Sequence, residues 1–203
     1  GGKDGRVKFH NTFMLVQFEI NLCKVVESLV DDDCNPMSFS GSRAPYVRAL
    51  CHNAQTNKVI VGTSSSEIFE FDVSTPDAFK TPLGRQIIIQ GHASSVDHKA
   101  KPPVMAGEVW GLDTHPFKPV YATAGDDRSV RLWSCEDHNL VTIRKLKGRA
   151  RSVAWHPKGN VLAVGCLKGQ IFILDTDIGR VVTSNDCKSE IKQLRFSPSG
   201  KFL

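Results

Sequence analysis

No stretch of the 203-residue sequence approaches the roughly 18 consecutive apolar residues that a bilayer-spanning helix requires. The chain opens GGKDGRV, without a charged and apolar leader, so a soluble polypeptide lacking a secretion signal is expected. The six cysteines, Cys23, Cys34, Cys51, Cys135, Cys166 and Cys187, include no CxxC pair. Several lie in apolar, strand-like runs and read as small buried hydrophobes, reduced thiols of the cytosol. The seven histidines, His10, His52, His92, His98, His115, His138 and His156, show no short paired spacing of the zinc type. Asp31-Asp32-Asp33-Cys34 lacks the alternating oxygen ligands and the glycine of a calcium loop and reads as a solvated loop. No phosphate-cradling glycine motif and no GxSxG elbow are present. No metal, cofactor, small-molecule substrate or catalytic activity is therefore expected.

Apolar residues make up 40% and charged residues 23%, enough of each for a soluble chain with a buried core. The formal charge of +5 is uneven: residues 1–100 carry 10 Lys/Arg against 11 Asp/Glu, and residues 101–203 carry 16 against 10. A basic second half permits an acidic protein, a nucleic acid or an anionic membrane as partner and selects none of them.

A repeat organises the chain. VWGLDTHPFKPVYATAGDDRSVRLW from Val109, SVAWHPKGNVLAVGCLKGQIFILD from Ser152 and KQLRFSPSGKFL at the end align, with His115-Pro116, His156-Pro157 and Ser197-Pro198 each 41 residues apart. Leu112, Val153 and Leu194 share that spacing, as do Val130 and Ile171. An earlier copy, VRALCHNAQTNKVIVGTSSSEIFEFD, sits 62 residues before its counterpart, Leu50 matching Leu112 and Ile68 matching Val130. Most of the excess fits an inserted polar segment, residues 93–105, expected to be a mobile surface loop. GGKDGRVKF matches AGDDRSVRL, so the chain is expected to start within a repeat.

Within each unit, apolar runs of four to seven residues alternate with HPxG-, GDD- and KG-type turns, which is the punctuation of strands. In the clearest copy they fall near 108–115, 120–124, 129–133 and 140–145. A unit of roughly 40 to 45 residues with four strands is one blade of a propeller. The predicted class is all-β: WD40-type β-propeller blades, four-stranded antiparallel sheets, as a partial propeller of a larger protein. The blades divide as 1–27 (end of a first), 45–90 (second), 107–147 (third), 148–187 (fourth) and 188–203 (start of a fifth), with 91–106 as the inserted loop.

The copy from Ile87 to Trp133 resembles the WD-repeat family, with QGH at 90–92, Thr123 in its second strand, Asp127 in the tight turn, and VRLW ending at Trp133. The resemblance implies that His92, Thr123, Asp127 and Trp133 form that family's structural hydrogen-bond network. An Asp in a turn accepts backbone N–H groups and the His proton, while Trp and Thr each offer a donor, so the buried polar groups are satisfied. Other copies depart from it: His10, Phe71 and Leu174 stand in the place of Trp133, and Ser65 and Lys168 in that of Asp127. Fourteen residues separate His92 from Gly107, a length that leaves open whether His92 reaches Asp127.

GGKDG, VRAL, VGTSSSEIFEFD, IIIQGH, GEVWGLDTHPF, YATAGDDRSVRLW and LKGQIFILD together resemble the echinoderm microtubule-associated protein-like family, most sharply in EVWGL followed by His-Pro. That resemblance implies paired propellers that bind tubulin, a leading hydrophobic motif and coiled coil elsewhere, and a place in the cytoplasm on the cytoskeleton. The expected function is a non-catalytic scaffold with tubulin, microtubules or other proteins as partners. The alternatives are an adaptor in another assembly and, more distantly, a nucleic-acid-binding propeller; no membrane partner is expected. Arg144, Lys145, Lys147, Arg149 and Arg151 crowd the connection between the third and fourth blades, either as a solvated loop or as a site that attracts an acidic surface such as the Glu-rich tails of tubulin.

Overall fold

A computed structural model describes residues 3–22, 24, 46–64, 66–74, 87–90, 92 and 108–203. The inserted segment 93–105, Ser65 and the Asp31–Cys34 run lie outside the described residues. Among those described, fourteen strands make four antiparallel sheets. β1 (Arg6–His10) and β2 (Val16–Asn21) pair alone. β3 (Val47–Asn53), β4 (Lys58–Thr63), β5 (Glu67–Asp72) and β6 (Ile87–Gln90) form the next sheet in chain order. β7 (Val109–Thr114), β8 (Val120–Gly125), β9 (Ser129–Ser134) and β10 (Leu140–Lys145) form another, and β11 (Ala150–Trp155), β12 (Val161–Cys166), β13 (Gln170–Asp175) and β14 (Val181–Asp186) the last. The first strands of the four-stranded sheets lie side by side, β7 touching both β3 and β11. Up-and-down sheets stacked with their first strands innermost are β-propeller blades.

Alternation along the middle strands explains the stacking. Successive side chains of a strand point to opposite faces. From β4 and β5, Val59, Val61, Phe69 and Phe71 therefore meet Val7, Ile20 and Leu22 of the β1–β2 unit. Ile60 and Ile68 point the other way, against Val109, Tyr121, Trp133 and Cys135. One blade further, Ala122, Ala124, Val130 and Leu132 pack on Ala150, Val153, Trp155, Leu162, Val164 and Leu174. Both faces being covered, β4, β8 and β12 read as nearly unbroken apolar runs.

The repeat is one of register as well as of sequence. Leu50 pairs with Val61, Leu112 with Thr123 and Val153 with Val164, the same rung in each blade. Small residues stand where blades approach most closely. A Cβ on Gly62 would lie 2.7 Å from Val109 Cγ1, one on Gly165 2.3 Å from Ile191 Cγ2, and one on Gly111 3.0 Å from the backbone of Ser152 and Val153. Gly111, half of the distinctive Trp-Gly pair, is thus the residue that lets β11 lie against β7.

Turn histidines join one blade to the next. His115 Nε2–H donates to the carbonyl of Gly159 (3.1 Å), and its Nδ1 accepts from the amides of Phe117 and Lys118 (both 3.0 Å). His156 repeats the pattern 41 residues on, Nε2 to Gly200 O at 3.2 Å and Lys158 N to Nδ1 at 3.1 Å. Gly159 and Gly200 adopt φ of +68° and +72°, and a Cβ on either would strike the histidine ring. In the earlier blade Asn53 stands in for the histidine, its Oδ1 accepting from the amides of Gln55 (2.9 Å) and Thr56 (3.0 Å).

Residues 188–203 form no strand. Leu194 N donates to Ser152 Oγ (2.7 Å) and Ile191 N to Cys166 O (3.2 Å), which lays the segment beside the last sheet. Leu194 rests half-buried against Gly165, outside any strand, unlike Leu112 and Val153.

Replacing Gly111 by Val should push β7 from β11 and cost about 1 to 3 kcal/mol, as overpacking does. The denaturation midpoint of the full-length protein measures it; an unchanged midpoint would mean that β11 has room to move.

Candidate functional site

Four residues named by their motif meet in one buried network. Trp133 Nε1–H donates to Thr123 Oγ1 (2.8 Å), whose own proton points to His92 Nε2 (2.7 Å), leaving His92 Nδ1–H to donate to Asp127 Oδ1 (2.9 Å). The intervening segment therefore does not carry His92 away. Asp127 also accepts from the Ser129 amide (3.0 Å) and from Arg131 Nη2 (2.8 Å), and the Ser129 hydroxyl lies 2.7 and 2.8 Å from its two oxygens. Burial pushes this carboxyl up, but the bonds and charges of His92, Ser129 and Arg131 outweigh it and hold the pKa well below the usual carboxylate range. Burial lowers that of His92, against the pull of Asp127, so the ring is neutral beside an ionised carboxylate. Gly125 is required here: a Cβ would lie 2.9 Å from His92 Nδ1. Every polar side chain of the set is engaged within it.

A second buried polar node escapes motif reading. Glu70, 1% exposed, accepts from Tyr121 Oη (3.1 Å), lies 3.0 Å from His138 Nδ1, and pairs with Lys58 Nζ at 3.3 Å. Lys58 Nζ also donates to the Cys135 carbonyl (3.0 Å). One carboxylate thus ties β4 and β5 to β8 and to the turn after β9. Its signal lies in the alignment: Glu70 holds the place of Leu132 and Ile173. A charge at a core position calls for partners. Burial and the neighbouring Glu70 push the Cys135 thiol up to about 12, and burial raises Cys51 and Cys166, so these thiols stay protonated. Cys187, by contrast, is exposed.

The basic connection is not one uniform patch. Arg144, half-buried, donates from Nη1 to the carbonyls of Ile178 (3.0 Å) and Gly179. Arg151 is drawn inward, 3.3 Å from Asp126, 3.7 Å from Glu190 and stacked over Trp110 at 4.1 Å. Arg149 is half-buried, whereas Lys145 and Lys147 are exposed. Of the five expected partner-binding cations, two are thus committed within the molecule. The inner face formed by β3, β7 and β11 carries a cleft of about 620 Å³, lined by residues such as Arg48, Trp110, Arg151, Lys192 and Arg195. Among the described residues no group of three His, Cys, Asp or Glu side chains could hold a metal ion, and no helix is long and apolar enough to cross a membrane.

The sequence of these blades has relatives. A family model of the echinoderm microtubule-associated protein second β-propeller matches residues 109–203. Echinoderm microtubule-associated protein-like 2 of Rattus norvegicus is 32% identical over 100% of the chain. The chain belongs to the echinoderm microtubule-associated protein-like family. It spans 25% of the rat relative's length. Echinoderm microtubule-associated protein-like 4 of Homo sapiens is 30% identical over 86% of the chain and 16% of its own length. A chain from the crystal structure of the mitotic checkpoint complex superposes with a TM-score of 0.67 over 97% of this chain and 49% of its own. At 20% identity, that likeness speaks for the fold alone.

Two outcomes are expected for this segment of the family. Asp127→Ala orphans the buried donors and should cost about 1 to 3 kcal/mol, read as a lower denaturation midpoint of the full-length protein; no change would make Asp127 a solvated turn residue. Burial also lowers the pKa of His115 from the model-compound value of 6.5. The unfolded chain then takes up a proton near that value and the folded one does not, so this contribution is present above it and lost as pH falls. His115→Asn, which copies Asn53, should therefore make stability fall less steeply between about pH 7.5 and 5.5 than in the parent. Equal slopes would show that His115 titrates alike in both states.

Proposed function

We propose that the chain is a non-catalytic part of a cytoplasmic, microtubule-associated scaffold whose propeller surface contacts tubulin or another cytoskeletal protein. The relatives' names carry microtubule association. An acidic partner surface is supported by one observation above others: Lys145 and Lys147 stand exposed where β10 passes to β11, with no ion pair to another described residue. The buried network of His92, Thr123, Asp127 and Trp133 is satisfied within itself, which favours a binding surface over a reaction site. Exposed cations speed encounter with an acidic surface more than they deepen affinity, through a field screened over roughly 8 Å at physiological salt.

Arg151 is engaged with Asp126 and Trp110, so its replacement would disturb the fold as well as the charge. The informative variant is Lys145→Ser with Lys147→Ser in the full-length protein. Binding to polymerised tubulin should weaken about two- to fivefold at low salt, mainly through slower association, and depend less on ionic strength. Unchanged binding across a salt series would place the contact elsewhere. A parent protein that binds neither polymerised nor unpolymerised tubulin would overturn the reading.

A further inference from the structure

A β-bulge recurs at the same place in three first strands. Arg48 in β3, Trp110 in β7 and Arg151 in β11 are each the extra residue at which the ladder to the following strand shifts register. Their spacings are 62 and 41 residues, and a further step of 41 reaches Lys192. Bulges re-aim side chains and gather beside functional sites. Here they bring large, mostly cationic side chains to one end of the inner cleft. β7 lies between β3 and β11, so the two arginines reach Trp110 from opposite sides, their guanidinium carbons 4.5 and 4.1 Å from the ring centroid. Arg48 also pairs with Glu108.

Arg151 Nη1 lies 3.3 Å from Asp126 Oδ1 and its Nε 3.7 Å from Glu190, pairs that hold the charge without a well-formed hydrogen bond. Lys192 and Arg195 stand exposed on the wall of the same cleft, with no ion pair to another described residue.

We propose that this bulged end of the inner face docks an extended acidic peptide segment of a protein partner, its carboxylates met by Lys192 and Arg195 beside the Arg48–Trp110–Arg151 stack. The assignment rests on the reading that the partner presents an acidic protein surface, and it locates where that surface enters. A nucleic acid fits less well: strand binding stacks bases on open aromatic faces, and both faces of Trp110 are covered. A peptide chain needs no such face, and the cleft runs across three inner strands.

The test measures binding of a fluorescent decaglutamate peptide to the full-length protein at several salt concentrations, with a single-stranded oligonucleotide as competitor. Lys192→Ser with Arg195→Ser removes two charges exposed on the cleft wall, and the thermal midpoint of each variant is measured beside that of the parent. The parent should bind the peptide, and this variant should bind about five- to tenfold more weakly, with a smaller loss in the Lys145→Ser, Lys147→Ser variant. Peptide binding unchanged in the Lys192, Arg195 variant, an equal or greater loss in the Lys145, Lys147 variant, or an oligonucleotide that binds more tightly than the peptide would each overturn the assignment. A parent that binds tubulin but not decaglutamate removes this docking site and leaves the microtubule reading standing. One that binds decaglutamate but no tubulin does the reverse.

Discussion

A four-stranded sheet with apolar side chains on both faces cannot be stable by itself, because covering one face leaves the other in water. β4, β8 and β12 are such strands, and each blade therefore needs a neighbour on either side. Stacking in turn forces the first strands close together, which is why Gly62, Gly111 and Gly165 stand where a Cβ would strike the next blade. The close inner approach then sets where large polar side chains can go, and the bulges at Arg48, Trp110 and Arg151 are how they leave the crowded ladder.

Between stacked blades, buried polar groups must be satisfied locally, and different interfaces do so by different chemistry. At the margin of the third blade a neutral His92 bridges Thr123 and an ionised Asp127. At the interface before it, Glu70 gathers Lys58, Tyr121 and His138 around one carboxylate. Such sets rigidify a contact when complete and cost dearly when one member is lost. In both sets the side-chain hydrogen bonds are directed at one another and across neighbouring strands.

Much of this was legible in the sequence, because the repeat of buried rungs is a repeat of residue types. Leu50, Leu112 and Val153 occupy the same rung, and His115-Pro116 and His156-Pro157 make the same turn. The network at His92 was readable from its motif, although the fourteen residues after it left its reach open. Other features do not show in a periodic reading. A bulge adds a residue to one strand against its partner without changing the spacing between blades, so equal spacing concealed it. The committed states of Arg144 and Arg151 depend on a carbonyl at Gly179 and a carboxylate at Asp126 supplied by folding.

The histidine links give the stack a direction. His115 takes its carbonyl from Gly159 in the blade after it, and His156 takes one from Gly200 beyond that. Each blade thus finishes the turn of its predecessor and depends on its successor to finish its own. A defect at a turn glycine is felt upstream, toward the amino end, while the blades downstream keep their own links. Such a stack has an arrow, and errors in it travel backwards along the chain.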